Sequence, residues 1–180
     1  MANLENIIYF DHAATTSPLQ EVVSIYNQAL KDYYFNPASA HQAGTLTNRA
    51  LEEARNNILR SFGLNSHNVI FTSGASEANN LALKGFAHRY QKRGKHIITS
   101  SFEHPSVTNA LKALETEGFE VTYLPTPKGF VDFQALEKAI RPDTILVSIM
   151  AVNNEVGFIQ DIHSISRLVR GRGINPLSCH

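Results

Sequence analysis

HIITSSFEHPSVTNALKALETEGFEVTY, running from His96 to Tyr123, holds one complete structural unit. His96-Ile97-Ile98-Thr99 is a short apolar, β-branched run, the composition of a strand. Pro105 suits the first turn of a helix, where its missing N–H costs nothing. Val107, Ala110, Leu111 and Leu114 recur at spacings of three and four and make one inner face. Gly118 ends that helix, and Glu120-Val121-Thr122-Tyr123 reads as a second strand. A strand, a helix and a strand in under 30 residues predict a parallel pair with a crossover helix.

The same alternation extends in both directions. Upstream, Val69-Ile70-Phe71-Thr72 reads as a strand, and a helix follows from about Glu77 to Tyr90, stopping before Gly94. Further back, Leu46, Ala50, Leu51, Ala54, Ile58, Leu59 and Phe62 line one helical face, with Gly63 as its C-terminal cap. Ile7-Ile8-Tyr9-Phe10 is a short extended run. Downstream, Asp132 caps a helix through Ile140. Thr144 to Met150 is the most apolar strand and suits a central position buried on both faces. Ile162, Ile165, Leu168 and Val169 form a last helical face. The fold class is therefore α/β with a mostly parallel sheet. A further strand is expected after Gly173, but Asn175-Pro176 is a turn signal, and proline fits a central strand badly.

Bulk properties narrow the function classes. Apolar residues make up 43 % and charged residues 18 %, a globular balance. Lys plus Arg and Asp plus Glu number 16 each, so no charge excess asks for nucleic acid or an anionic membrane. No apolar run approaches the roughly 20 residues of a membrane span, and Met1 to Phe10 lacks the pattern of a signal peptide. A single cysteine, Cys179, gives neither a disulfide framework nor a CxxC site. A reducing cytoplasm is the expected compartment. The histidines show no metal-ligand spacing, so no metal site is expected.

Three segments can carry chemistry. Phe71 to Asn80 joins a strand to a helix through Gly74, which permits a tight turn close to a ligand. The helix start offers free N–H groups and the positive end of a dipole, and Ser73 and Ser76 add hydroxyls. This suits a phosphate. On local sequence alone it suits a plain capped helix better, with Ser73 or Ser76 as N-cap and Glu77 in the first turn. Ser101-Phe102-Glu103-His104-Pro105 ends the next strand, where open α/β sheets place ligands. His104 there can stack on an aromatic ligand or move protons near pH 7, or can be an ordinary exposed loop residue. Met150 to Gly157 follows the central strand, and its amides can bond a ligand oxygen or close a polar turn. Taken together, three polar turns at one sheet edge suit a flat, phosphorylated ligand.

Five ordered motifs give the chain a family resemblance. Tyr9-Phe10-Asp11-His12-Ala13-Ala14-Thr15-Thr16, Asn36-Pro37-Ala38-Ser39, Thr72 to Asn80, Glu103-His104 and Val152-Asn153-Asn154-Glu155-Val156-Gly157 resemble the cysteine desulfurases, within the class V aminotransferases. The likeness runs from about Ile7 to Gly173. It implies the three-layer, mostly parallel large domain of the pyridoxal-phosphate (PLP) transferases, here truncated. Residues 1–15 would belong to a small domain and 16–180 to an incomplete PLP-binding large domain. It also implies a homodimer that takes sulfur from L-cysteine, leaving alanine and an enzyme persulfide, and passes it to acceptor proteins for iron–sulfur cluster or thio-cofactor supply.

Residue by residue, Ala75 and Ser76 match the phosphate-binding turn, with Ser76 where threonine is frequent. His104 matches the residue that stacks on the pyridine ring and can transfer a proton. Asn154 matches the side chain that bonds the ring hydroxyl oxygen. His12 stands where asparagine or serine is common. The family's Schiff-base lysine, its pyridinium-pairing aspartate, its acceptor cysteine and its substrate-binding arginine match nothing in these 180 residues, and Cys179 does not fit the acceptor. The chain alone is therefore expected to be inactive. Another class V enzyme, such as a selenocysteine lyase or an aminotransferase, and a non-catalytic remnant are the alternatives. If Leu177-Ser178-Cys179 is encoded CTT-TCA-TGT, a shift of one base gives a reading that begins Phe-His-Val, which resembles the family's next strand, so a frameshift near codon 175 is a further expectation.

Overall fold

The computed structural model of the chain describes residues 7–177, the last three by their backbone alone. Two compact units divide between Phe71 and Thr72. The second holds the sheet. Its strands β1 (His96–Ser100), β2 (Glu120–Leu124), β3 (Thr144–Ser148) and β4 (Asn175–Leu177) are all parallel, in the order β2-β1-β3-β4. Every residue of β1 and β3 is buried, as expected for inner strands covered on both faces.

Helices build the two outer layers. Numbered in chain order, α1 (Gln20–Asp32) and α2 (Gln42–Ser61) belong to the first unit; α3 (Ala75–Tyr90), α4 (Pro105–Thr116), α5 (Phe133–Ala139) and α6 (Ile162–Gly171) belong to the second. Leu83 and Ala87 of α3 and Val107, Ala110, Leu111 and Leu114 of α4 pack with Ile97, Ile145 and Leu146 on one face of the sheet. Leu136 of α5 and Ile165 and Val169 of α6 pack with Ile98, Val147 and Ile149 on the other. A bulge between β1 and β3 shifts the pairing from His96↔Thr144 to Ile97↔Leu146. Ile145 is the extra residue, which accounts for its facing the same cluster as Leu146. Each fully buried leucine here contributes about 1.5–3 kcal/mol relative to an exposed one.

The helix ends follow their local chemistry. Asp132 Oδ1 accepts from the Gln134 and Ala135 amides at 2.8 and 3.3 Å and caps α5. Gly118 turns the chain out of α4 at φ +86°, a conformation that strains any side chain. Gly94, just before β1, lies so close to the next loop that a Cβ would meet the Asp143 carbonyl oxygen at 2.1 Å.

At the amino edge of the sheet, the fully buried His96 ties three strands together. Its Nδ1 lies 2.7 Å from Thr144 Oγ1 on β3, and its Nε2 lies 2.8 Å from Thr122 Oγ1 on β2. Arg141 closes the same edge over Asp143, at 2.9 and 2.8 Å, and Glu120, at 2.7 Å.

Two expectations change. Val69–Thr72 forms no strand and pairs with no neighbour among the described residues; a β-prone run becomes a strand only when a partner takes its backbone groups. Ile7–Phe10, read as a short extended run, takes no strand partner among the described residues, and its four side chains are exposed. A strand does follow Gly173: Asn175–Leu177 pairs with Leu146–Ser148, so the expectation of a missing strand is corrected. Pro176 is tolerated because β4 is an edge strand of the described sheet, where one side of the backbone needs no partner. The frameshift expectation rests partly on Ser178 to His180, outside the described residues. No helix among the described residues is long and apolar enough to cross a membrane.

Candidate functional site

The carboxyl ends of β1 and β3 and the start of α3 enclose a cavity of about 140 Å³. Ala75, Asn79, Glu103, His104, Ser106 and Asn154 are among its walls. Three segments separated by up to 79 positions, Ala75 to Asn154, thus meet at one place. Of the four residues singled out from the sequence, Ala75, His104 and Asn154 line this cavity, and Ser76 lies beside Ala75 in the first turn of α3. A roomier cavity of about 360 Å³ lies at the opposite edge, and none of those residues lines it.

The amino end of α3 differs from a simple cap. Gly74, not Ser73 or Ser76, is the N-cap residue, and no side chain bonds the helix end there. Ser73 is occupied instead: its amide and hydroxyl both donate to Glu77 Oε2 at 2.6 Å. Those two bonds, the hydroxyl first, hold the Glu77 carboxyl below the usual carboxylate range. Only the Ser76 hydroxyl therefore remains as a side-chain donor at this turn. The first-turn amides of Ala75, Ser76 and Glu77 have no acceptor within the helix. A Cβ on Gly74 would meet nothing within 4 Å, so the turn is open to a ligand.

His104 is both the N-cap of α4 and a wall of the cavity. Its Nδ1 accepts from the Ser106 amide at 3.1 Å and lies 2.8 Å from the Ser106 hydroxyl. An amide can only donate, so the neutral ring carries its proton on Nε2. Asn79 Nδ2 donates to Ser106 Oγ at 2.8 Å, which continues the chain of bonds from α3 through α4 to the imidazole.

The two asparagines after β3 do opposite things. Asn153 is buried: its Oδ1 accepts from the Glu155 and Val156 amides at 3.0 and 2.9 Å, and its Nδ2 donates to the Phe102 carbonyl at 3.2 Å. Asn154 is exposed at the cavity wall, with its side-chain amide uncommitted among the described residues.

Glu103 was not assigned a role from the sequence. It is buried, and its Oε1 accepts from the Ser100 hydroxyl and, at 2.9 Å, from the Met150 amide. Its Oε2 has no hydrogen-bond partner among the described residues. Burial pushes this carboxyl up, and the two hydrogen bonds only partly oppose that. The available signal was its place, next to His104 in a turn at a strand end.

The donor set suits a flat, phosphorylated ring: free amides and a hydroxyl for a phosphate, an imidazole for a ring face, an amide for a ring substituent. Comparison with known proteins gives the family. The model of the aminotransferase class-V family matches residues 8–177. The cysteine desulfurase IscS of Edwardsiella ictaluri (strain 93-146) is 50 % identical over 171 residues, covering 93 % of this chain and 42 % of that protein. A solved structure described as a NIFS-like protein superposes with a TM-score of 0.90 at 37 % identity, over 95 % of this chain and 48 % of that one. A structure described as SspA in complex with cysteine gives 0.85 at 38 %, over 94 % and 49 %. The chain spans less than half the length of each of these relatives.

Proposed function

The chain belongs to the class V aminotransferase family, and we propose that it provides the cofactor-holding wall of a cysteine desulfurase-like enzyme that binds PLP and acts on L-cysteine. Family members are PLP-dependent. The observation that carries the reading is the convergence of Ala75, His104 and Asn154, from three separate segments, on one cavity.

In this reading the free amides at the start of α3 and the Ser76 hydroxyl hold the phosphate, where the helix dipole favours an anion. His104 lies against the ring face, its orientation set by Ser106 and Asn79. With Nδ1 accepting, its Nε2 is the nitrogen that holds or passes a proton. Asn154 donates its amide to the ring hydroxyl oxygen. PLP, when bound, supplies an electron sink for bond cleavage at the α-carbon and β-carbon of an amino acid. Transfer of cysteine sulfur to an acceptor protein, with alanine released, is the activity proposed for the whole enzyme. Residues 1–15 are proposed to serve a smaller second domain.

Equilibrium dialysis of the 180-residue chain against PLP and against pyridoxal tests this. PLP is expected to bind saturably and pyridoxal more weakly, because pyridoxal cannot use the α3 turn. Ser76→Ala and His104→Ala should each weaken PLP. Equal binding of the two ligands, or no saturable PLP binding, overturns the assignment.

A further inference from the structure

We propose that Glu103 and Asn153 are positioning residues that together fix the separation of His104 and Asn154 across the pocket; this rests on the reading that the pocket takes PLP. Each one immediately precedes a pocket residue in the chain. Each reaches out of its own turn to bond the other turn. Glu103, in the turn after β1, accepts from the Met150 amide beyond β3 at 2.9 Å. Asn153, in the turn after β3, donates to the Phe102 carbonyl beyond β1 at 3.2 Å. The bonds cross in opposite directions, so neither turn can shift along the sheet edge without breaking one.

Both clamps are buried, with Glu103 7 % and Asn153 6 % exposed, so water does not readily replace them. Asn153 Oδ1 also closes its own turn on Glu155 and Val156, and Asn154 is left exposed at the cavity wall. A buried carboxyl with no cation beside it is a poor device for stability, since an apolar residue would fill the space without the desolvation cost. It is a good device for geometry, because Oε1 gathers two donors, from Ser100 and Met150, at one point. Oε2 takes no part, so a neutral group of the same shape should clamp equally well.

The test uses PLP dialysis on the 180-residue chain. Glu103→Ala and Asn153→Ala should each weaken PLP roughly tenfold, as the loss of one buried hydrogen bond implies. Glu103→Gln should restore the parent's affinity. In a double-mutant cycle, Glu103→Ala should cost nothing further once His104 is already alanine, because it acts through that ring. A merely structural role would weaken both backgrounds alike and would overturn the proposal, as would a Glu103→Gln chain as weak as Glu103→Ala. If Glu103→Ala does not fold, Asn153→Ala in the Asn154→Ala background provides the same cycle. Should the parent not bind PLP, the cofactor reading fails separately. The clamp is then read by hydrogen exchange: the Met150 amide must exchange faster in Glu103→Ala, and the Glu155 and Val156 amides faster in Asn153→Ala, and unchanged exchange overturns it.

Discussion

At the scale of single residues, neighbours in sequence divide between holding the site and facing it. The Asn153 side chain makes four hydrogen bonds from a buried position, one of them to the Met150 sulfur, whereas that of Asn154 makes none among the described residues. Asn153→Ala should therefore cost about 1–3 kcal/mol of stability, the usual loss when buried partners are left unsatisfied. Asn154→Ala should stay within about 0.5 kcal/mol, as an exposed substitution does, while weakening PLP. Urea melts of the two variants check this, and equal destabilisation would count against the division. The sequence alone could not separate the two asparagines, since adjacent amides in a turn look alike; resemblance to the desulfurases pointed to the second. Ser73 is the reverse case. Its hydroxyl looked like a ligand donor, but Glu77 lies one helical turn on and takes it. Glu103 stands in a motif with His104, but its role is not legible there, because nothing local marks a carboxylate as buried and its amide partner, Met150, lies 47 positions away.

At the scale of elements, periodicity and capping chemistry did most of the prediction. The helices around Val107, Leu136 and Ile165 and the strands β1, β2 and β3 all fall where apolar spacing and the Pro105, Gly118 and Asp132 signals put them. Composition misleads where pairing decides: Val69–Thr72 has strand composition and no strand partner among the described residues, and Pro176 sits in a strand because the edge permits it. His96 is a buried polar residue at the start of a strand and gives the sheet a pH dependence. Burial first, and the Arg141 charge second, hold its imidazole below the ordinary 6.5, against the opposing pull of Asp143 and Glu120. The folded chain thus keeps His96 neutral when the unfolded chain already binds a proton. Stability should be complete above about pH 6.5 and fall as pH drops from there through the lowered folded-state value. Thermal melts between pH 7.5 and 5 should show a steeper decline for the parent than for His96→Gln, and parallel curves would refute the assignment.

At the scale of the whole molecule, the core is not shared evenly. Both apolar clusters consist of residues from Leu83 onward, in the unit that holds the sheet. In the first unit α1 has no buried residue, and Val22, Ile25, Tyr26 and Leu30 on its apolar stripe are all exposed. In α2 only Gly44 and Thr47 are buried. Segments with so little apolar burial open at low free energy, whereas core strands open only with the whole domain. Limited proteolysis of the 180-residue chain should therefore cut first before Thr72. The resistant product should begin near Thr72 and keep the sheet, along with Ala75, Ser76, His104 and Asn154. Because that product retains the pocket, it should bind PLP as the parent chain does, and PLP should slow cleavage near residues 72–80 while leaving cuts within α1 unaffected. Mass spectrometry of the early fragments decides the order. First cuts in the β2–α5 or β3–α6 connections, with α1 left whole, would show that stability is distributed in some other way than the two buried clusters require.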